Sequence, residues 1–270
     1  MRTSTTRKLV ALVGVLVLTG VACDKTPAVV VKPPTGHDTH TSTPSSTDTT
    51  DTTDTTDTTE PTTVDRCAEG ELDGCFTYSQ MDDFLHTIAG MVGDWESHAY
   101  RNMPAPASIV FVAHGETGSE GRGCGTYNSQ DTYEYCGTDD TIYIGQDFLW
   151  KLYSEDGDAA AATGLAHEWG HHIQAMTDVP LPETNDESIN HENQADCIAG
   201  SWVKYEDEQG VFEYPNDFEN LGSLLVAIAS AESPDRDHGT LSERTRSMAA
   251  GYTGGLENCN DFYPSTPVIS

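Results

Sequence analysis

Residues 159–176 read AAAATGLAHEWGHHIQAM, and this stretch decides how the rest of the chain is interpreted. The run of alanines predicts a helix, with apolar positions on one face. Residues 167–171 within it form an H-E-x-x-H pattern. Because positions i and i+4 share one face of a helix, His167 and His171 can bind one metal ion, with Glu168 beside them to accept a proton. The alternative interpretation is a histidine-rich amphipathic helix at the surface.

A catalytic zinc ion usually has three protein ligands and one water molecule, so a third ligand is needed. The next predicted helix, from Glu187 to about Glu208, offers His191, Glu192, Asp196 and Cys197, of which Cys197 cannot be a ligand if it forms a disulfide. Glu192 and Asp196 share a helical face, which suits Glu192 as the metal ligand and Asp196 as the acceptor for the free N–H of a ligating histidine. His191 is the alternative ligand. A solvated acidic face is the alternative for the two carboxylates.

Outside these two helices, the pattern predicts one α+β domain that is mostly helical, with a short sheet beside the helix of residues 159–176. Gly170 lies inside that helix, where glycine costs about 1 kcal/mol relative to alanine, so we expect another backbone or a substrate to approach it. Two further helices are predicted over Ser79 to about Gly93 and Phe218 to about Ala231, and a last helix begins at a Thr240–Glu243 capping box and ends at about Ala250. Strands are predicted over 109–113 and 141–144, and a glycine-rich loop over 115–125.

The charge of the chain excludes several functional classes. Its 270 residues carry 44 acidic and 13 basic side chains, a formal net charge of −31. Nucleic-acid binders neutralise phosphates with clustered Lys and Arg, so we predict no nucleic-acid partner. A basic face for anionic lipid is excluded for the same reason, and a single apolar run near the N-terminus argues against a polytopic membrane protein. A solvated acidic surface explains the charge, with calcium sites or salt adaptation as the alternatives, and since no D-x-D-x-D-G loop is present we do not assign a calcium site.

Residues 1–22 have the pattern of an export signal. Arg2, Arg7 and Lys8 precede an apolar stretch from Leu9 to Ala22, which is too short to span a bilayer. The small residues before Cys23 resemble a bacterial lipoprotein signal, in which Cys23 is lipidated and becomes the mature N-terminus. This predicts a lipoprotein of the cell envelope that contacts the membrane only through a lipid anchor at Cys23. Ordinary secretion after cleavage nearby is the alternative.

Residues 23–64 are rich in Thr, Ser, Pro and Asp, and an Asp-Thr-Thr triplet repeats from Asp48 to Thr59. With so few apolar side chains, such a segment cannot offset the entropy lost on ordering. We therefore predict a disordered stalk over residues 23–64, with the folded domain over residues 65–270.

Excluding Cys23, the chain contains an even set of cysteines, which in an exported protein predicts disulfides. Closeness in the chain favours Cys67–Cys75 and Cys124–Cys136, which leaves Cys197–Cys259. A four-cysteine zinc site is the alternative, but no C-x-x-C pair supports it.

These motifs together resemble the putative neutral zinc metallopeptidase family of bacteria. Residues 167–174 resemble its H-E-x-G-H-H-x-Q signature, and residues 192–202 resemble its E-L-Q-A-D-C-x-A-G-x-W motif. The other similar stretches are Cys124-Gly125, Tyr135-Cys136, Ile142-Tyr143-Ile144, His238-Gly239-Thr240 with Arg244, Gly251-Tyr252 and Cys259. The resemblance runs from about Trp95 to Phe262. Glu243 stands where the family pattern has Gln.

The resemblance implies a zincin-like metallopeptidase with one zinc ion per chain. It assigns His167, His171 and Glu192 as zinc ligands, Glu168 as the catalytic residue and Asp196 as the partner of a ligand. We also suggest that His238 approaches the site and stabilises the oxyanion, against the alternative of a residue that only flanks a helix.

The sequence thus predicts an exported peptidase that hydrolyses peptide bonds of protein or peptide substrates with a zinc-activated water, Glu168 acting as general base. The alternative is a non-catalytic, zinc-stapled binding or scaffold domain at the cell surface.

Overall fold

The computed structural model describes residues 78–117, 124–230 and 236–270. The predicted export signal, the lipidation site Cys23, the stalk, the start of the folded domain at residue 65 and the Cys67–Cys75 pairing lie outside these residues. So does the middle of the predicted glycine-rich loop.

The described part of the chain is mostly helical with one small sheet, the α+β fold class predicted from the sequence. The helices are α1 (Tyr78–Ala99), α2 (Gln146–Lys151), α3 (Asp158–Met176), α4 (Asn185–Glu208), α5 (Asn216–Ser230), α6 (Leu241–Gly254) and α7 (Leu256–Cys259). A π-helical turn, Leu152–Asp156, follows α2 directly. The strands are β1 (Ser108–Val112), β2 (Tyr133–Cys136) and β3 (Thr141–Gly145).

The three strands form a sheet in the order β1-β3-β2. The central strand β3 is buried along its whole length, as its Thr-Ile-Tyr-Ile sequence favours. It pairs in parallel with β1, where Ile109 is opposite Ile142, and antiparallel with β2, where Tyr135 is opposite Ile142. Strand β2 is therefore an edge of the sheet, and this edge lies against α3.

Glycines allow α4 to pack closely between α3 and α6. A Cβ added to Gly170 would lie 3.0 Å from the Cα of Ala195 on α4. A backbone does therefore approach Gly170, one of the two explanations that the sequence offered. On the other side of α4, a Cβ on Gly251 would overlap the carbonyl oxygen of Cys197. Larger side chains at Gly170 and Gly251 would therefore move α3 and α6, respectively, away from α4.

Two of the predicted disulfides fall on described residues, and both are present. Cys124–Cys136 connects the segment before β2 to the end of that strand, and Cys197–Cys259 connects α4 to α7. Since Cys197 is bonded to Cys259, it is not a metal ligand.

The helix and strand predictions hold for the long helices and for β1 and β3, and they miss the other short elements. Helix α1 continues past Gly93 because Val92 and Trp95 extend its apolar stripe into the core. Helix α4 begins earlier than predicted, since Thr184 and Glu187 form a capping box before it. Strand β2 and helices α2 and α7 were not predicted. They are as short as β1 and β3 but lack the run of β-branched and aromatic residues that marks those two strands.

Within the described residues, no helix combines the length and the apolar character needed to cross a membrane.

Candidate metal centre and its groove

Three side chains from α3 and α4 converge on one point. His167 and His171 lie one turn apart on α3, and Glu192 faces them from α4. The Nε2 atom of His167 is 3.3 Å from one Glu192 carboxylate oxygen, and the Nε2 atom of His171 is 3.4 Å from the other. The three potential ligand atoms all lie within 4.8 Å of one another.

The other nitrogen of each ring has its own acceptor, which fixes how the ring is turned. The Nδ1 atom of His167 is 2.9 Å from Asp196 Oδ1, and the Nδ1 atom of His171 is 2.8 Å from Gln174 Oε1. The Gln174 amide in turn donates to the carbonyl oxygen of His191 at 2.8 Å. Such contacts leave each Nε2 as the metal-binding atom.

Gln174 was not singled out as a site residue from the sequence. Its place three residues after His171 on the same helix was the available signal.

A buried arginine completes the cluster from α6. Arg244 donates to Asp196 Oδ1 at 2.8 Å and, over a longer distance of 3.5 Å, to Glu192 Oε2. It also donates to the carbonyl oxygen of His238 at 3.3 Å. Arg244 was noted in the sequence only as part of the family resemblance, because a contact between α6 and α4 has no local signal.

The donor set fits zinc. Two imidazole nitrogens and a carboxylate are ligands that zinc accepts in catalytic sites. With bonds of about 2.0–2.1 Å, the ligand atoms of a tetrahedral zinc ion are separated by roughly 3.3 Å. The separations of 3.3 Å from His167 Nε2 to Glu192 Oε2 and of 3.4 Å from His171 Nε2 to Glu192 Oε1 are close to that value, each to a different carboxylate oxygen. The two Nε2 atoms and Glu192 are therefore arranged to hold one zinc ion.

Glu168 lies beside this cluster and is held by the edge strand. Its Oε2 atom accepts a hydrogen bond of 2.8 Å from the backbone N–H of Tyr135 on β2. The side chain is buried, and this desolvation raises the pKa of Glu168, although His167 and His171 oppose the increase. A carboxyl with a raised pKa retains a proton more readily than an ordinary glutamate.

The ligand charges stabilise each other. Burial alone would raise the pKa of Glu192, but the neighbouring His171 and His167 outweigh it and hold that pKa well below its ordinary value. Burial also disfavours a charged His167, yet its hydrogen bonds to Asp196 and Glu192 raise its pKa.

The two remaining histidines from the sequence analysis both line the same groove. The ring of His191 stacks on His171, with centroids 5.1 Å apart, and His191 is not part of the ligand cluster. His238 is half exposed, and its Nδ1 atom is 2.8 Å from Asp237 Oδ1. The catalytic role suggested for His238 stays a prediction.

The groove that contains the cluster has a volume of about 950 Å³. Its walls come from β2, α2 with the π-helical turn, α3, α4, α5 and α6. His167, Glu168 and His171 all line this groove.

Comparison with known proteins supports this assignment. Residues 79–262 match the sequence model of the family described as "Putative neutral zinc metallopeptidase". An uncharacterized protein of Escherichia coli K12, YpfJ, is 30% identical over 165 residues, which cover 52% of this chain and 57% of that protein. Uncharacterized proteins of Mycobacterium bovis and Mycobacterium tuberculosis H37Rv are 28% identical over 177 residues, covering 54% of this chain and 60% of each relative.

The chain therefore spans less than two thirds of the length of these curated relatives. No solved structure matches it. Since the family model covers most of the described residues, including every member of the His167–His171–Glu192 cluster, the chain belongs to the putative neutral zinc metallopeptidase family.

Proposed function

We propose that this protein is an exported zinc-dependent peptidase. The observation that carries the proposal is the convergence of His167, His171 and Glu192 in an open groove, with Glu168 held beside them by the Tyr135 N–H. A purely structural zinc site has no use for a glutamate in that position. Structural zinc is also usually closed by a fourth Cys or His, whereas the cluster found among the described residues has three ligands.

A zinc ion held by His167, His171 and Glu192 supplies a Lewis acid that polarises a peptide carbonyl and acidifies a water molecule. Glu168 then acts as the general base. The Tyr135 N–H fixes one carboxylate oxygen, Oε2, so we assign the transferred proton to Oε1. Because burial raises its pKa, Glu168 can hold the proton during attack and pass it to the leaving amine.

Asp196 and Gln174 orient the two ligand imidazoles through their Nδ1 atoms. Arg244 balances the charge of Asp196 and contacts Glu192. His238, on the wall of the groove, is the candidate for stabilising the oxyanion. In the His238→Ala variant, a decrease in turnover of less than about tenfold would exclude that direct role.

Export to the cell envelope is part of the proposal. Its support is the basic and apolar pattern of residues 1–22, the cysteine at position 23, and the disulfides of the folded part. We propose Cys23 as the lipidated residue and residues 23–64 as a stalk. Protein or peptide substrates outside the cytoplasm are the proposed partners.

The test is zinc content and peptide hydrolysis in the full chain, purified with its disulfides formed. We expect about one zinc ion per chain, the ordinary stoichiometry of a mononuclear site, and cleavage of unfolded casein. Glu192→Ala should lose zinc. Glu168→Gln should keep zinc and lose turnover by at least about 100-fold, the contribution expected of a general base.

Two results would contradict the proposal. Retained turnover in Glu168→Gln would remove this residue from the chemistry. Stoichiometric zinc with no hydrolysis of casein or of a broad peptide library would instead favour the zinc-stapled binding module.

A further inference from the structure

We propose that the groove selects peptides with a bulky apolar side chain next to the cleaved bond and a basic residue close to it. This inference rests on the proposed peptidase function and specifies its substrate class.

The apolar preference follows from one end of the groove, beside the N-terminal half of α3. Tyr133, Phe148, Leu152, Leu224 and Ile228 line this end, and we call them the apolar pocket. The hydroxyl group of Tyr133 donates to the carbonyl oxygen of Ala161 at 2.6 Å. The polar atom of Tyr133 therefore has a partner, and its ring is available for apolar contact.

The pocket is close to the reacting atoms. Gly164 precedes Glu168 by four residues on α3, which is slightly more than one helical turn, or about 6 Å along the axis. A Cβ on Gly164 would lie 3.0 Å from the ring of Tyr133, so the glycine allows that ring to pack against α3. A residue bound in the apolar pocket is thus adjacent to the bond that Glu168 would act on.

Acidic side chains also line the groove. Glu134 lies beside Tyr133 on β2, Glu155 and Asp156 lie in the π-helical turn that contains Leu152, and Asp131 and Lys151 line the groove as well. Burial raises the pKa of Asp156, repulsion from the Glu155 carboxylate adds to the increase, and the charge of Lys151 opposes it. A cationic side chain would relieve the repulsion, whereas an acidic peptide would increase it.

The groove offers little to a substrate carboxylate. Among its described lining residues, the Lys and Arg side chains are Lys151 and Arg244. Arg244 is buried and donates to Asp196, so its charge is already paired with a carboxylate of the protein. Recognition of a free C-terminus is therefore disfavoured, and cleavage within a chain is favoured.

The first experiment uses four internally quenched hexapeptides with blocked ends. The first of the two central positions is Phe or Gly and the second is Arg or Glu, which gives the four combinations. The other four positions are alanine in every peptide. We expect kcat/KM of the full chain with zinc for the Phe–Arg peptide to exceed that for the Phe–Glu and Gly–Arg peptides by at least about tenfold, the usual range for one apolar side chain in a pocket.

Matched variants locate the preference. Ile228→Glu places a charge in the apolar pocket, and we expect it to abolish the preference for Phe. Val226→Glu adds the same charge to the same helix outside the groove lining and should leave the preference unchanged. Glu155→Gln combined with Asp156→Asn should reduce the preference for Arg, whereas the control pair Asp82→Asn and Asp83→Asn on α1 should not.

Binding to zinc-loaded Glu168→Gln, measured by fluorescence anisotropy with the same peptides, separates this inference from the peptidase proposal. Tighter binding of Phe–Arg without any cleavage by the wild type would support the groove preference and overturn the peptidase function. Cleavage of all four peptides at similar rates would overturn the preference and leave the function standing. The absence of both binding and cleavage for every peptide would overturn the preference as well.

Discussion

His171 and His172 are neighbours in the sequence, yet α3 directs them into two different environments. His171 faces the groove, where its Nδ1 atom contacts Gln174 and its Nε2 atom faces Glu192. His172 points away from the groove and is fully buried. Its Nδ1 atom is 2.6 Å from Asp140 Oδ1, and its Nε2 atom is 2.7 Å from the carbonyl oxygen of Pro104.

The two histidines differ in the group that the Nε2 atom of each ring contacts. Both ring nitrogens of His172 lie within hydrogen-bond distance of a protein group, so this ring is held on both sides and lies away from the ligand cluster. His171 has one neutral amide acceptor and directs its other nitrogen to a carboxylate of the ligand cluster. A histidine-rich helix can therefore contain a candidate metal ligand and a structural histidine side by side, and the groups on the neighbouring elements decide between them.

Exchanging each histidine for glutamine should separate the two roles, and this is the largest expected effect. His171→Gln removes a zinc ligand, so we expect zinc affinity to fall by more than about 100-fold, beyond the loss typical for a residue that only orients a ligand. His172→Gln should keep zinc but lower the free energy of unfolding by about 2 kcal/mol, because glutamine cannot keep both contacts of the buried ring, to Asp140 and to the carbonyl oxygen of Pro104.

Zinc affinity can be measured by competition with a chromophoric chelator, and stability by urea unfolding in the presence of EDTA. The chelator removes the contribution of bound zinc to stability, so that the two variants are compared on the same basis. Loss of zinc in His172→Gln, with stability unchanged, would reverse the two assignments.

Replacing Asp196 tests how much the orientation of the His167 imidazole contributes to zinc affinity. In Asp196→Asn the amide can still accept from His167 Nδ1, but its negative charge is lost and Arg244 loses an ionic partner. We expect zinc affinity to fall by about 10- to 100-fold, with His167 and His171 still in place.

The matched control is Asp207→Asn, also on α4, where the carboxylate accepts from the hydroxyl group of Tyr252 at 2.6 Å. Its zinc affinity should stay within about twofold of wild type, since the side chain does not touch a ligand. An equal decrease in the two variants would attribute the effect to α4 as a whole.

Sequence reasoning predicted what is local on α3 and α4. The spacing of His167 and His171, and that of Glu192 and Asp196, follows from helical periodicity, and the structure brings these four residues together as expected. The α+β class was also predictable, because α3 and α4 are long enough to carry strong patterns.

The contacts that distinguish His171 from His172 were not predictable. They involve Asp140 at the end of a turn, Tyr135 on a four-residue strand, and Arg244 on another helix, all distant in the sequence from α3. Glu243, which departs from the family pattern, proves to form the predicted capping box of α6 and to pair with Arg236.

Tyr135 joins the two environments. Its backbone N–H donates to Glu168 on the groove side, and its hydroxyl group donates at 2.9 Å to Asp140, the partner of His172. Tyr135→Phe keeps the ring and the backbone donor but loses the hydroxyl contact. We expect kcat to fall by about fivefold, the equivalent of one hydrogen bond of about 1 kcal/mol, with KM and zinc content unchanged.

Tyr143→Phe on β3 is the control, because the Tyr143 hydroxyl group also donates to a carboxylate, Asp139, at 2.8 Å, away from α3. Its kcat should equal that of the wild type within about twofold, since one hydrogen bond lost elsewhere affects stability rather than turnover. A change in KM rather than kcat in Tyr135→Phe would mean that β2 acts on substrate binding and not on Glu168.

The smallest expected effect concerns the capping box that positions Arg244 behind the ligand cluster. The backbone N–H and the hydroxyl group of Thr240 donate to Glu243, and with Arg236 they lower the pKa of Glu243 to about 2. Because the folded-state pKa is lower than the ordinary value of 4.5, the stabilisation is complete above that pH and is lost as the pH falls towards 2.

Glu243→Gln should therefore be less stable than the wild type by about 0.5 kcal/mol at pH 7, a modest figure for a partly exposed group, and the difference should shrink on acidification. Thermal unfolding from pH 7 to pH 3 measures it, and a difference that stayed constant or grew at low pH would show that the charge of Glu243 does not stabilise the start of α6.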